Sequence, residues 1–182
     1  MGKTAYILLA EGFEEIEAIT PADILRRMDV NVVLVGVSSK LVRGAHGMEI
    51  TADATLNRAS AVTPDAVILP GGMPGAKNLD ACRPVRELVA KVNENGGIVA
   101  AICAAPMVLG RMGLLEGKSA TCYPGFEEHL SGAAVTKESV TRDGNFVTAN
   151  GPGAAAEFGF TLGAMLTDDV TAAFVRRSMQ YK

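Results

Sequence analysis

The chemistry in this 182-residue chain concentrates in three cysteines, two histidines and an early run of glutamates, and the most pointed placement is that of Cys103. Ile98 to Ile102 is a short apolar run behind the pair Gly96-Gly97, the pattern of a strand buried on both faces. Ala104 to Leu109 then reads as a helix with Pro106 in its first turn, where a missing N–H costs nothing. A thiol on the sharp turn between them would face the unpaired N–H groups and positive end of the helix, which lowers a thiol pKa. The small neighbours Ala101, Ala104 and Ala105 leave room for such a turn, as in the nucleophile elbow of serine hydrolases. Free cysteine is also a common packing residue, and position alone leaves both readings open.

Two further stretches carry polar chemistry. Glu14, Glu15 and Glu17 open a helix after the first strand, where acids complement the helix dipole, and Glu17 by itself reads as a solvated helix residue. Pro70-Gly71-Gly72-Met73-Pro74-Gly75 is a loop so rich in Gly and Pro that its backbone must approach something closely. Asn150-Gly151-Pro152-Gly153 breaks the chain before a late helix.

The elements that must position these residues alternate between strand and helix. Strands are expected at Thr4 to Leu9, Asn31 to Val37, Asp65 to Leu69, Ile98 to Ile102 and Ser119 to Tyr123, with a hairpin across Asp143-Gly144. Helices are expected from Glu14 to Met28 with a kink or restart at Pro21, and over Pro84 to Asn95, Phe126 to Leu130, Ala154 to Leu166 and Val170 to Met179. Leu41 to Ala54 reads as two short extended pieces broken by Gly44 and Gly47. This is an α/β pattern with a mostly parallel sheet, in one domain over residues 1–182. In such a sheet the loops at the strands' carboxyl ends gather on one edge, so the Glu14 to Glu17 turn, Gly71-Gly72 and Cys103 should meet.

Composition narrows the function. Seventeen basic against 20 acidic residues give a net charge of −3, and no basic cluster is longer than Arg26-Arg27 or Arg176-Arg177, so nothing favours nucleic acid. No apolar run reaches the length of a membrane span, and the start of the chain lacks a signal-peptide pattern. Three cysteines without metal-like spacing point to reduced thiols and a cytoplasmic protein, and two histidines argue against structural zinc. Neither a metal nor a cofactor motif is present, and the lack of a phosphate-binding loop speaks against phosphate-ester chemistry.

AEGFEEIEA, ILPGGMPGAKNL, IVAAICAAP and TANGPGAAAEF, in this order and spacing, resemble the ThiJ/PfpI superfamily, and within it the DJ-one branch. The resemblance covers nearly the whole chain. It implies a flavodoxin-like three-layer sandwich and a homodimer, in which the first helix could present Ile16 and Ile19 to a partner. Residue by residue, Cys103 matches the oxidation-prone nucleophile, and Glu17 the acid that hydrogen-bonds its thiolate. Gly72 and Ala104 match backbone N–H donors to a developing oxyanion, and Gly71, Tyr123 and Pro152 match positions around the pocket. A protonated, buried carboxyl can donate to a thiolate and pass a proton during catalysis.

Two departures matter. Tyr123 stands where some members of the branch carry a histidine, and a phenol, with its ordinary pKa of about 10, is no base at neutral pH. Ala104 stands where protease-like members carry a histidine, which argues against peptidase and amidotransferase chemistry. His46 and His129 match no motif position and read as surface or partner contacts, and Cys82 and Cys122 as packing. The resemblance therefore implies a cofactor-independent enzyme that turns small reactive dicarbonyls into 2-hydroxy acids, of the glyoxalase III or deglycase type. The alternative is a non-enzymatic oxidative-stress sensor or chaperone that uses the same cysteine.

Overall fold

The structure, a computed structural model, describes residues 2–181. β1 (Thr4–Leu9), α1 (Glu15–Arg27) and β2 (Asn31–Gly36) form the opening βαβ unit. A small antiparallel hairpin of β3 (Leu41–Arg43) and β4 (Glu49–Thr51) follows, then β5 (Ala54–Thr55) and the single turn α2 (Leu56–Ala59). β6 (Ala66–Leu69), α3 (Gly75–Ala81), α4 (Arg83–Glu94), β7 (Ile98–Ile102) and α5 (Pro106–Arg111) make up the middle. After β8 (Ser119–Ala120), a 3₁₀ turn at Glu127–His129 and β9 (Ala134–Val135), the hairpin of β10 (Val140–Asp143) and β11 (Phe146–Ala149) leads to α6 (Ala155–Leu166) and α7 (Asp169–Ser178).

The central sheet has seven strands in the order β10-β11-β7-β6-β1-β2-β5, all parallel except β10. Alternation along each strand splits the interior in two. Ala5, Ile7 and Leu9 of β1 point with Ile98, Ala100 and Ile102 of β7 into the layer filled by α1, α6 and α7. Tyr6, Leu8, Val99 and Ala101 point the other way, toward α2, α3, α4 and α5. This is the three-layer α/β sandwich with a mostly parallel central sheet that the sequence predicts. Among the described residues no helix is long and apolar enough to cross a membrane.

Several local expectations need correction. α1 continues through Pro21 as one helix and does not restart there, although the N–H that proline lacks would serve the carbonyl of Glu17, one turn back. α3, which follows the Gly-Pro loop, has no counterpart among the expected helices. Its seven residues begin at a glycine and are too few for periodicity to reveal. The strand expected over Ser119 to Tyr123 is only two residues long, since its chain turns away to pair β8 with β9. The β10–β11 turn falls on Gly144-Asn145, one residue later than expected, with Asp143 paired to Phe146.

The strand order fixes the site. β11, β7, β6 and β1 are consecutive neighbours, so the segments that follow them lie side by side at one edge. Leu69 pairs with Ala101 across β6 and β7, and two more residues on each strand bring Gly71 alongside Cys103.

Candidate active site at the carboxyl edge of the sheet

Cys103 takes a left-handed backbone conformation, φ 64°, which is costly for a residue with a β-carbon. Neighbouring segments hold it there. Its N–H donates to the carbonyl of Ala149 at 2.8 Å, and its carbonyl accepts from the N–H of Tyr123 at 2.8 Å. The chain then turns into α5, and the thiol is left half-buried between the two apolar layers.

Gly71 and Gly72 sit against this elbow. A β-carbon on Gly71 would lie 2.7 Å from both the Cys103 β-carbon and Oε2 of Glu17, so only glycine lets the two side chains share that space. Gly72 has φ 83°, and a β-carbon there would lie 2.6 Å from the carbonyl oxygen of Gly12. The Gly71 N–H donates to Oε2 of Glu17 at 2.8 Å, so it is committed to the carboxyl and is not free for a substrate oxygen. The N–H groups of Gly72 and Ala104 are directed at the Cys103 sulfur.

Glu17 has 0% exposure, which overturns its reading as a solvated helix residue. Its Oε1 has no hydrogen-bond partner among the described residues, and Cys103 stands across Gly71 from the carboxyl. Burial raises the Glu17 pKa to about 7, against the smaller opposing effects of Cys103 and the Gly71 N–H. A carboxyl that keeps its proton near neutrality has a donor to offer, and the sulfur is the neighbour that can accept it.

Cys103 departs from expectation. Burial pushes the thiol up to about 12, with the charge and close approach of the Glu17 carboxylate acting in the same direction, and the Ala104 and Gly72 N–H groups opposing. A lowered pKa was expected from the helix start, but α5 has only six residues and begins three positions later. Both contributions of Glu17 act while its carboxyl is ionised. With Glu17 protonated the repulsion disappears and the carboxyl becomes a donor, so the pair favours a thiolate beside a neutral acid over two charges side by side.

These groups open into a pocket of about 370 Å³ that Glu14, His46, Gly72, Met73, Cys103, Ala104, Tyr123, Phe126 and Pro152 line. Tyr123 meets Phe126 edge to face, with ring centroids 6.5 Å apart. Sequence reasoning placed Cys103, Gly72, Ala104, Tyr123, Pro152 and the turn that holds Glu14 at this edge and missed Met73, Phe126 and His46. His46 lies at the surface as expected, with 65% of its side chain exposed, and from there it also lines the pocket. It arrives on the irregular β3–β4 turn, where no periodicity signals its direction. The second histidine, His129, packs against Phe126 with ring centroids 6.0 Å apart and lies outside the pocket lining.

Glu14, Glu15 and His46 bring donor atoms within 4.8 Å of one another. The oxygens of Glu15 already accept from the His46 N–H at 2.9 Å and the Met48 N–H at 3.3 Å and face the His46 ring at 3.1 Å, which makes the group a hydrogen-bonded carboxylate–imidazole network.

Comparison with known proteins agrees with this geometry. Residues 3–165 match the model of the DJ-1/PfpI family. The chain is 42% identical over 163 residues to Protein DJ-1 homolog B of Arabidopsis thaliana, a match that covers 88% of this chain but 37% of that protein. The chain therefore spans well under half the length of that plant relative. It is 35% identical over 159 residues to a Caenorhabditis elegans protein named glutathione-independent glyoxalase DJR-1.2, covering 86% of this chain and 84% of that one. The crystal structure of Drosophila melanogaster DJ-1beta superposes with a TM-score of 0.96 at 34% identity, covering 100% of both chains. The chain belongs to the DJ-1/PfpI family.

The raised pKa of Glu17 has a consequence for stability. In the unfolded chain the carboxyl ionises near its ordinary value, while in the fold it holds its proton to about 7. The stabilisation is complete below the unfolded pKa and is lost as pH rises through the folded one, a difference of at most about 3.5 kcal/mol. Native protein should therefore lose Tm relative to Glu17→Gln between pH 5 and about 8, as followed by thermal denaturation. Parallel pH profiles for the two proteins would show that Glu17 ionises normally in the fold.

Proposed function

We propose that this member of the DJ-1/PfpI family is a cofactor-independent cysteine enzyme that converts small reactive dicarbonyls to 2-hydroxy acids, methylglyoxal to lactate being the simplest case. The observation that carries this reading is the juxtaposition of a fully buried, proton-retaining carboxyl and a thiol on a left-handed elbow, with the N–H groups of Gly72 and Ala104 directed at the sulfur. The C. elegans relative that carries the name of a glutathione-independent glyoxalase supports it.

The reaction uses groups already described. The Cys103 thiolate bonds to the aldehyde carbon, and the C=O π electrons move to oxygen beside the N–H groups of Gly72 and Ala104. Glu17 gives that oxygen its proton, and the resulting carboxylate takes the hydrogen of the same carbon as a proton, leaving an enediolate. Glu17 returns the proton to the neighbouring carbon, and the hydroxyl proton of the first carbon passes to the oxygen of the second. The first carbon is then a thioester, oxidised by two electrons, and the second an alcohol, reduced by two. Water cleaves the thioester to the 2-hydroxy acid and frees the sulfur. The redox change is internal, so the reaction balances without an external electron carrier. The same addition and shift apply when the dicarbonyl is first carried on a glycated thiol or amine.

The protein is further proposed to act as a homodimer through α1, where Ile16 and Ile19 remain 52% and 37% exposed beside the site. Sedimentation should give twice the chain mass, and a monomer at assay concentration would contradict this. For the chemistry, lactate formed from methylglyoxal without added cofactor is compared in native protein, Cys103→Ala and Glu17→Gln. Saturable turnover should vanish in the first variant and fall at least about 10²-fold in the second. Native turnover no greater than that of Cys103→Ala would overturn the enzyme reading and leave Cys103 as a redox-sensing thiol.

A further inference from the structure

The pocket beside Cys103 has two unlike ends. Met73, Tyr123, Phe126 and Pro152 make one side largely apolar and aromatic, whereas Glu14 and His46 supply ionisable groups. Of the lining side chains, the His46 imidazole is the one whose ordinary titration falls near neutral pH. The position where a histidine would otherwise serve is occupied by Tyr123.

His46 is seated by its surroundings. Its backbone N–H donates to Oε1 of Glu15 at 2.9 Å, and its ring Nδ1 lies 3.1 Å from Oε2 of Glu15 and 3.5 Å from Oε1 of Glu14. Glu15 is only 4% exposed, and its carboxylate occupies space that a β-carbon on Gly44 would enter, 2.7 Å from Cγ of Glu15. The turn that carries His46 is stitched to the segment before α1 by two backbone bonds, Ala45 N–H to the Phe13 carbonyl and Gly12 N–H to the Arg43 carbonyl, each 2.8 Å. Two carboxylates on the Nδ1 side assign the ring proton to Nδ1 and leave Nε2 as the free nitrogen.

The charged groups around the ring are Glu14 and Glu15 on the α1 side and, across the turn, Arg43, whose guanidinium lies beside Gly47. Cys103 and Tyr123 are the other titratable groups lining the pocket. Burial alone would raise Glu15, but the hydrogen bonds from its own backbone and from His46 and Met48 outweigh that and hold it below the usual carboxylate range. The hydrogen bond to Glu15, then the charges of Glu14 and Glu15, raise His46 above an ordinary histidine. The ring thus carries a positive charge over more of the neutral range and offers an N–H at Nε2.

We infer that His46, held by Glu15, is the proton donor to the second carbonyl oxygen of the bound dicarbonyl, the oxygen that the Gly72 and Ala104 N–H groups do not hold. The inference rests on the dicarbonyl reading above and supplies the proton-transfer group that Tyr123 cannot. When Glu17 takes the aldehyde hydrogen as a proton, electrons move to the second carbonyl oxygen. The His46 imidazolium gives that oxygen its proton, forming the neutral enediol. Glu17 then protonates the second carbon, and the hydroxyl on the first carbon returns a proton to His46 as the thioester carbonyl forms. Imidazolium is restored and the proton count closes.

The test follows lactate formation from methylglyoxal in native protein, His46→Ala, Glu15→Gln and Cys103→Ala. His46→Ala should lower kcat roughly 10²-fold with KM nearly unchanged, and added imidazole should restore part of the rate. Glu15→Gln should move the alkaline limb of the kcat profile to lower pH, because the ring loses the carboxylate that keeps it charged. Native kcat in His46→Ala, with Cys103→Ala inactive, would overturn the inference and leave the dicarbonyl reading standing. A slow His46→Ala enzyme that imidazole does not rescue, with an unmoved alkaline limb in Glu15→Gln, would reduce His46 to a packing residue and overturn it as well. An inactive native protein would end both readings.

Discussion

Everything at this site depends on one desolvated carboxyl. Glu17 is taken out of water completely, receives one N–H from Gly71, and keeps an oxygen without a conventional partner among the described residues. A buried charge with so little compensation is expensive, and the group answers by holding its proton. That proton makes a glutamate useful beside a cysteine, because a second negative charge there would suppress the thiolate. The same geometry explains why a cysteine that burial pushes upward can still react: its ionisation is inseparable from the protonation state of Glu17.

The fold supplies the precision this arrangement needs. Parallel strands β6 and β7 carry Gly71 and Cys103 to the same level, and β11 and the Tyr123 segment clamp the strained elbow from the other side. Proline inside α1 is tolerated where the carbonyl it leaves unpaired belongs to Glu17 itself. Gly71 then lacks the β-carbon that would force the acid and the thiol apart, and Gly72 lacks one that would collide with the backbone of Gly12 to Glu14. Strain in the backbone at Cys103 is thereby set against a network of main-chain bonds that few single side chains can disturb.

Much of this is legible in the chain. The buried runs Thr4 to Leu9, Ala66 to Leu69 and Ile98 to Ile102 announce parallel strands, and the Gly-Pro loop announces a close approach, because both signals are local in sequence. Glu17 is different: on helix propensity it belongs in solvent, and its burial follows from its contacts with Gly71 and Cys103, which lie far away along the chain. The pKa of Cys103 is illegible for the same reason, since it depends on burial and a distant charge more than on the short helix that follows. His46 is hidden most thoroughly, carried on a hairpin with no periodicity and bound to an acid 31 positions away.

The most direct measurement of the central claim is infrared spectroscopy of the Glu17 carboxyl, taken as the difference between native protein and Glu17→Gln over a pH series. The account predicts the C=O stretch of a protonated carboxylic acid at pH 6 that fades as pH rises through about 7. A carboxylate signal already dominant at pH 5, with no protonated band at higher pH, would contradict it.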